Sequence, residues 1–124
     1  MSTSTPTVAE LASKKCVPCE GGVPPLSPEE VQSLLQSVPE WSLSEDGNRI
    51  RREWKAKNFL AGLAFFEKVG ALAEDEGHHP DLHLQGYRNI AVEIWTHAVG
   101  GLTENDFILA AKINGVPIEQ KRYG

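Results

Sequence analysis

The sequence predicts a two-layer α+β domain, in which helices cover one face of a four-stranded antiparallel sheet. Two observations support this prediction. The predicted elements follow the order helix, hairpin, helix, hairpin, helix, and turn residues separate the two strand-like segments of each hairpin. Strands joined in this way are antiparallel, and their alternating apolar positions leave one face that needs a cover. A chain of 124 residues is long enough for one such domain with one core.

The first predicted helix covers residues 27–38, "SPEEVQSLLQSV". Ser27 is a good N-cap, Pro28 suits the first helical position, and Glu30 completes a capping box. Pro39 ends the helix, because the residue before a proline disfavours the helical conformation. The helix has an apolar face made of Val31, Leu34, Leu35 and Val38.

The first hairpin is predicted over residues 41–56, where Asp46-Gly47 signals a tight turn between two strand-like segments. Trp41 and Leu43 alternate before the turn, and after it Ile50 and Trp54 share a face.

A second, longer helix is predicted over residues 59–76, with Asn58 as its N-cap. Gly77 is a suitable residue for the left-handed end of the helix, and Pro80 follows shortly after it. The spacing predicts a buried face that comprises Leu63, Phe66, Gly70 and Ala73, widened by Phe59 and Leu72.

The second hairpin pairs a short segment, residues 81–85, with a longer one, residues 88–97. Ile90, Val92 and Ile94 lie on one face of the longer segment. Thr103 then caps a last helix over residues 104–114, with Asp106 three residues after it, and Asn114-Gly115 ends that helix.

Residues 1–25 are interpreted as a partly ordered N-terminal extension, and residues 26–124 as the domain. The extension is rich in Ser, Thr, Gly and Pro and shows no sustained periodicity, so we expect it to be dispensable for folding. Cys16 and Cys19 form one Cys-x-x-Cys pair, which is half of a zinc ribbon. A reduced pair or a local disulfide is the simpler interpretation, and an inter-subunit metal or redox role is the alternative. The segment does not resemble a secretory signal and is a poor transit peptide, which favours a cytoplasmic location.

Charge and hydropathy exclude two classes of partner. The net charge of −5 argues against a protein that binds nucleic acid by neutralising phosphates. No apolar run approaches 18 residues, so no membrane span is predicted. A small-molecule or protein partner fits this composition better.

Three of the chain's four histidines lie close together in "AEDEGHHPDLHL", residues 73–84. His79 and His83 have the spacing of two zinc ligands on a helix, but Pro80 between them breaks any helix. Four zinc ligands would therefore need an unusual loop, and no metal site is predicted.

Two interpretations of this cluster remain besides a metal site. One is acid–base chemistry, and the other is a merely structural helix end. Glu74, Asp75 and Glu76 would occupy the last turn of the second helix, where negative charge opposes the helix dipole. Such local conflicts concentrate at functional sites, and a carboxylate can orient a histidine. Asp75 and Glu76 are interpreted as solvated surface residues. His97, at the end of the longest predicted strand, suggests a pocket in which imidazoles converge and exchange protons near pH 7.

The spacing of these residues resembles the signature of the pterin-4a-carbinolamine dehydratases over about residues 26–114. The matching positions are, in order, Glu74, His78-His79-Pro80, Tyr87, His97 and Asp106. The resemblance implies the α+β fold predicted above. It also implies an enzyme that dehydrates 4a-hydroxytetrahydrobiopterin to quinonoid dihydropterin, without a metal or another cofactor.

Residue roles follow from this resemblance. His78 and His97 would be the acid–base pair, and His79, also at the catalytic site, would bind and orient the pterin. Pro80 and Thr96 would shape the pocket, and Glu74 would orient a histidine. Asp106 would either support His97 or serve only as a helix-terminus residue. Tyr87 is interpreted as a packing residue.

Two alternative functions stay open, one of which is a role linked to molybdopterin or other pterin metabolism. Animal members of the family double as a dimerisation cofactor of a homeodomain transcription factor, so the chain could be a non-catalytic interaction module with the same fold. A homodimer or homotetramer is expected in either case. The natural pterin and the partner hydroxylase are not identifiable from the sequence.

Overall fold

The protein forms four helices and one four-stranded sheet in a computed structural model that describes residues 6–16 and 24–121. The helices are α1 (Val8–Ser13), α2 (Pro28–Leu35), α3 (Phe59–Glu76) and α4 (Glu104–Asn114). The strands are β1 (Ser42–Leu43), β2 (Ile50–Lys55), β3 (Asp81–Gln85) and β4 (Asn89–Ile94). The predicted α+β class is confirmed, as is the predicted order of elements from α2 to α4.

All neighbouring strands in the sheet are antiparallel, in the order β1-β2-β4-β3. The central pair aligns Ile50 with Ile94 and Trp54 with Ile90, which places these apolar side chains on one face. All four side chains are buried in the core beneath the helices. Arg51 and Glu93, also paired, point to the opposite, polar face, where their side chains form an ion pair.

The helix ends follow the predicted local signals. Ser27 and Glu30 form a capping box at the start of α2. The Asn58 side chain accepts a hydrogen bond from the N–H of Ala61 at the start of α3. Gly77 ends α3 with φ of 67°, a left-handed conformation that glycine adopts without steric cost. Each N-cap of this kind stabilises its helix by about 1 kcal/mol.

The predicted buried face of α3 is wrong by about one residue. The helix buries Gly62, Phe65, Val69, Ala73 and Glu76, while Leu63 and Phe59 are exposed. Gly62 explains the difference, because a Cβ there would lie 3.3 Å from Ile90 Cγ2. The helix therefore approaches the sheet most closely along its glycine. Of the predicted face, Ala73 is buried, and Phe66 and Leu72 pack partly against the core.

Helix α1, within the N-terminal extension, was not predicted. Thr7 and Glu10 form a capping box that starts it, and the helix packs against α4. Leu11 is fully buried and Cys16 is buried, and both belong to the hydrophobic core. Cys19 lies outside the described residues. Among those that are described, no helix is both long and apolar enough to cross a membrane.

Candidate active site

A cleft of about 230 Å³ lies where the end of α3 meets the loop that follows β4. Three of the chain's histidines border it. The residues that line it are Gly77, His78, His79, Trp95, Thr96, His97 and Ala98. The fold thus brings together two segments that are separated by about twenty residues in the sequence. The convergence of the three imidazoles that the sequence suggested is present in the structure.

His78 is held by a buried carboxylate. Its Nε2 lies 2.6 Å from Oδ1 of Asp106, which has no solvent exposure, whereas 11% of the His78 side chain is exposed. A carboxylate accepts hydrogen bonds, so it favours the imidazole form that carries a proton on Nε2. Nδ1 of His78 is then the ring nitrogen available to a molecule in the cleft.

Asp106 is itself fixed by α4 and the loop after β4. Its Oδ2 accepts a hydrogen bond from Oγ1 of Thr96 at 2.9 Å and another from the N–H of Thr103 at 2.8 Å. The hydroxyls of Thr96 and Thr103 are also 2.8 Å apart. Asp106 lies in the first turn of α4, where the helix dipole favours negative charge. The sequence left open whether Asp106 supports His97 or only ends a helix; the structure pairs it with His78.

His79 has a more exposed partner. Its Nε2 lies 2.9 Å from Oε2 of Glu74, with 62% of the histidine side chain and 79% of the glutamate side chain exposed. Solvent screens such a pair, so the contact orients the ring with little effect on stability. The expected pairing of Glu74 with a histidine is therefore present in the structure.

His97 stacks on a tryptophan that the sequence analysis did not identify as part of the site. The Trp95 and His97 rings are 3.9 Å apart between centroids, at 33° between planes. The guanidinium carbon of Arg49 lies 4.6 Å from the centre of the Trp95 ring, and the indole N–H donates to Asp81. These contacts fix the indole and therefore the wall on which His97 rests. One indication in the sequence that Trp95 belongs to the site was its position two residues before His97.

Several residues of the signature, and the fourth histidine, lie away from the cleft. Pro80 is half-buried and is not among the lining residues. Tyr87, interpreted from the sequence as a packing residue, is 58% exposed and has a positive φ of 56° in the β3–β4 turn. Nε2 of His83 lies 2.7 Å from Glu93 on the polar face of the sheet. No three histidine, cysteine or acidic side chains within residues 6–16 and 24–121 are grouped to hold a metal ion.

The interpretation of Asp75 and Glu76 as solvated surface residues is wrong for Glu76. Asp75 is exposed as expected, but only 4% of the Glu76 side chain is exposed. Its Oε1 accepts a hydrogen bond from the N–H of Cys16 at 2.8 Å, and Lys15 and Lys112 each place an ammonium 3.5 Å from Oε2. Burial opposes ionisation of Glu76, but these three partners outweigh it and lower its pKa.

The fold and the cleft define a small α+β protein whose site is built from imidazoles that a buried carboxylate and an indole hold in place. The chain belongs to the pterin 4 alpha carbinolamine dehydratase family, whose model matches residues 24–116. The resemblance inferred from the histidine signature is thereby confirmed.

Two relatives and one solved structure illustrate the match. The chain is 52% identical over 116 residues to pterin-4-alpha-carbinolamine dehydratase 2, mitochondrial, of Arabidopsis thaliana; the match covers 91% of this chain and 62% of that protein. It is 46% identical over 109 residues to a Methylococcus capsulatus protein provisionally named as the same dehydratase, covering 88% of this chain and 95% of that one. A Brucella melitensis structure described as a transcriptional coactivator/pterin dehydratase superposes with a TM-score of 0.69 at 28% identity, covering 74% of this chain and 97% of that one.

Proposed function

We propose that the chain converts 4a-hydroxytetrahydrobiopterin to quinonoid dihydropterin and water, as a hydro-lyase in tetrahydropterin recycling. Family membership supports the activity. The observation that carries the proposal at the level of the site is the arrangement of His78, His79 and His97 around one cleft, with His78 backed by buried Asp106.

The reaction requires one proton donor and one proton acceptor. The bond between C4a and the hydroxyl oxygen breaks, the hydroxyl takes a proton and leaves as water, and N5 loses its proton as its electron pair forms the new double bond. No electrons pass to an acceptor, so no redox cofactor is needed. Imidazole is suited to both transfers near pH 7. In our proposal His78 and His97 perform them, and the two protons are re-equilibrated with water after each turnover.

Asp106 supports this assignment for His78. With Nε2 committed to the carboxylate, Nδ1 is the nitrogen that exchanges a proton with the pterin. The carboxylate also fixes the tautomer that His78 presents to the substrate. His97 has the indole of Trp95 behind it in place of a carboxylate. The two imidazoles therefore have different environments, which suits two different roles.

His79 is proposed to bind and orient the pterin. Its exposure and its solvated contact with Glu74 leave it free to turn toward a polar group of the ring system. Thr96 is proposed to shape the cleft through its backbone and to hold Asp106 through its hydroxyl. The proposed part of Pro80 is to fix the direction in which the chain leaves His79.

The test is direct dehydration of the substrate. Freshly generated 4a-hydroxytetrahydropterin is added to the protein, and the appearance of quinonoid dihydropterin is followed spectroscopically against the uncatalysed rate. We expect acceleration in proportion to protein concentration. A rate equal to that without protein, for a protein whose folding circular dichroism has verified, would refute the proposal.

A non-catalytic interaction module remains the second candidate, and an exposed apolar surface on α3 favours it. Phe59, Leu60 and Leu63 are 46%, 73% and 41% exposed and lie on one side of the helix. We also propose that the chain forms a homodimer or homotetramer, which would cover such a surface. Light scattering after size-exclusion chromatography measures the mass, and Leu60→Glu is expected to lower it if this surface is the contact.

Two further assignments are proposals. The compartment is proposed to be the cytoplasm, although the Arabidopsis relative is named mitochondrial; fractionation of the source cells decides between the two. Residues 26–124 are proposed as the dehydratase domain and residues 1–25 as its extension, in keeping with the family match from residue 24.

A further inference from the structure

The N-terminal extension contacts the two helix ends that carry the His78–Asp106 pair. At the end of α3, the N–H of Cys16 donates to Glu76, two residues before His78. At the start of α4, Sγ of Cys16 donates to the carbonyl of Asn105 at 3.6 Å, one residue before Asp106. A single residue of the extension therefore bridges the two segments.

Flanking lysines repeat this bridge at the surface. Nζ of Lys15 lies 3.1 Å from the carbonyl oxygen of Asp75 and donates to it, at the end of α3. Nζ of Lys14 lies 3.1 Å from a carboxylate oxygen of Glu104, at the start of α4. Both lysines are substantially exposed, so these contacts add little energy by themselves. These contacts show that the chain after α1 runs along the junction between the end of α3 and the start of α4.

An apolar anchor holds the extension in place. Leu11, on α1, is fully buried in the core, and α1 packs against α4. The hydroxyl of Ser37, just after α2, donates to the carbonyl of Pro6. The buried leucine, the packing of α1 on α4 and the Ser37 contact together hold the extension against the domain.

We propose that residues 6–16 are a positioning element for the acid–base pair and that Glu76 is the residue through which they hold His78. The proposal rests on the function proposed above for His78. None of these residues lines the cleft, so the extension acts on the geometry of the pair and not on the pterin. Residues 6–16 lie outside the segment that the family model matches, which starts at residue 24, whereas Glu76 lies within it.

The physical reason is that the pair spans two separate elements. His78 follows α3 and Asp106 lies in α4, so their 2.6 Å contact depends on how these helix ends are placed relative to each other. Misplacement of a catalytic group by about 1 Å can cost up to ~10²-fold in rate. Cys16 contacts both segments, Glu76 at the end of α3 and the carbonyl of Asn105 at the start of α4, so it helps to fix their relative placement.

The experiment uses two variants of the full chain that weaken the extension at different points. Leu11→Ala removes the apolar anchor, and Glu76→Ala removes the acceptor for the N–H of Cys16. Val8→Ala, on the exposed side of α1, and Glu67→Ala, on the exposed side of α3, are the matched controls. For each variant, kcat and KM are measured with the pterin, and the ring-nitrogen chemical shifts of His78 are recorded by NMR without it.

We expect kcat to fall about tenfold in both test variants, with KM changed less than about twofold, because geometry and not binding is affected. The His78 ring signals should move in both variants and in neither control, while those of His79 stay in place. One variant loses an apolar side chain and the other loses a carboxylate. An effect on His78 that both share therefore points to the docked extension.

The proposal is overturned if Leu11→Ala and Glu76→Ala fold, as judged by circular dichroism, and leave both the His78 ring signals and kcat as in the wild type. It is equally overturned if both variants raise KM and leave kcat unchanged. Because the NMR measurement needs no substrate, a wild-type chain that lacks dehydratase activity would refute the proposed function and still permit this test.

Discussion

Oδ1 of Asp106 and Nε2 of His78 are 2.6 Å apart, with the carboxylate fully buried and the imidazole at the edge of the cleft. Two of the residues that contact this carboxylate, His78 and Thr96, line the cleft. Through its contact with His78 the carboxylate determines which ring nitrogen of that histidine carries the proton.

Asp106→Asn tests that influence. The amide preserves the volume but can turn its NH2 group toward His78, so Nε2 loses the acceptor that fixes its proton there, and we expect kcat to fall by roughly 10²-fold. The measurement is kcat at saturating pterin, with circular dichroism to verify folding. Asp46→Asn, the same change in the first hairpin turn, is the control and should retain full activity. An Asp106→Asn variant with wild-type kcat would show that the carboxylate has only a structural role.

The division of labour among the histidines is a second prediction. If His78 and His97 exchange protons with the substrate, His78→Ala and His97→Ala should each lower kcat, by ~10²–10⁴-fold for full loss of proton transfer. The double variant should be slower still. His79→Ala should act mainly on KM, because its proposed role is binding. Near-normal kcat in both His78→Ala and His97→Ala at saturating pterin would favour the interaction module.

Independence from metal is a third prediction, and it follows from the residues around the histidines. Pro80 separates His79 from His83, and His83 contacts Glu93 on another face of the sheet. Dialysis against a strong chelator should leave kcat unchanged. Loss of activity on dialysis, with recovery on addition of zinc, would contradict cofactor-free chemistry.

The thiol of Cys16 gives a fourth prediction. Burial, followed by the neighbouring Glu76 carboxylate, raises the pKa of Cys16 to about 12. Compared with a thiol of pKa 9.0, the thiolate is then about a thousandfold rarer at pH 8, and alkylation should be slower by a similar factor. Peptide mapping after iodoacetamide treatment distinguishes Cys16 from Cys19. Labelling of Cys16 in native protein as fast as in urea would show that the extension is not docked.

The lowered pKa of Glu76 predicts a pH-dependent contribution to stability. A carboxyl group with a depressed native pKa stabilises the fold at pH values above its unfolded pKa, here near 4.5, and this contribution is lost as pH falls through the native value. The hydrogen bond to this charge contributes about 1.5–3 kcal/mol. The charges that favour its ionised form are those of Lys112 and Lys15.

Chemical denaturation of the wild type and Glu76→Gln at a series of pH values measures this contribution. The difference in unfolding free energy should be constant above about pH 5.5 and should shrink below pH 4.5. Glu67→Gln, on the exposed side of α3, is the control and should show no such difference. A difference between wild type and Glu76→Gln that does not change with pH would contradict the assignment.

Much of the fold was predictable because its signals are local. Ser27, Asn58 and Gly77 determine helix ends through contacts within a few residues, and each lies where the sequence placed it. The buried face of α3 was not predictable in the same way. Leu63 has the hydropathy of a core residue, yet the helix turns Gly62 toward the sheet because close approach there requires the absence of a side chain.

For the site, the residues were easier to identify than their partners. The histidines converge as expected, but the sequence did not reveal that Asp106 pairs with His78, because that contact spans 28 residues. Glu76 was misassigned for a related reason. An acid next to two other acids has the pattern of a solvated run, and the partners of Glu76 come from the docked extension and from Lys112 of α4, both distant in the sequence. With Leu11 also buried, the reason for regarding the extension as dispensable no longer holds.

The stacking of Trp95 on His97 gives the protein a built-in optical reporter. Of the three tryptophans, Trp41 and Trp54 pack edge to face with each other in the core, and Trp95 is the one that lines the cleft. A molecule that enters the cleft would lie against the indole, and a bound pterin would change its emission. The emission of Trp95 should therefore follow the occupancy of the cleft in real time, without any added label.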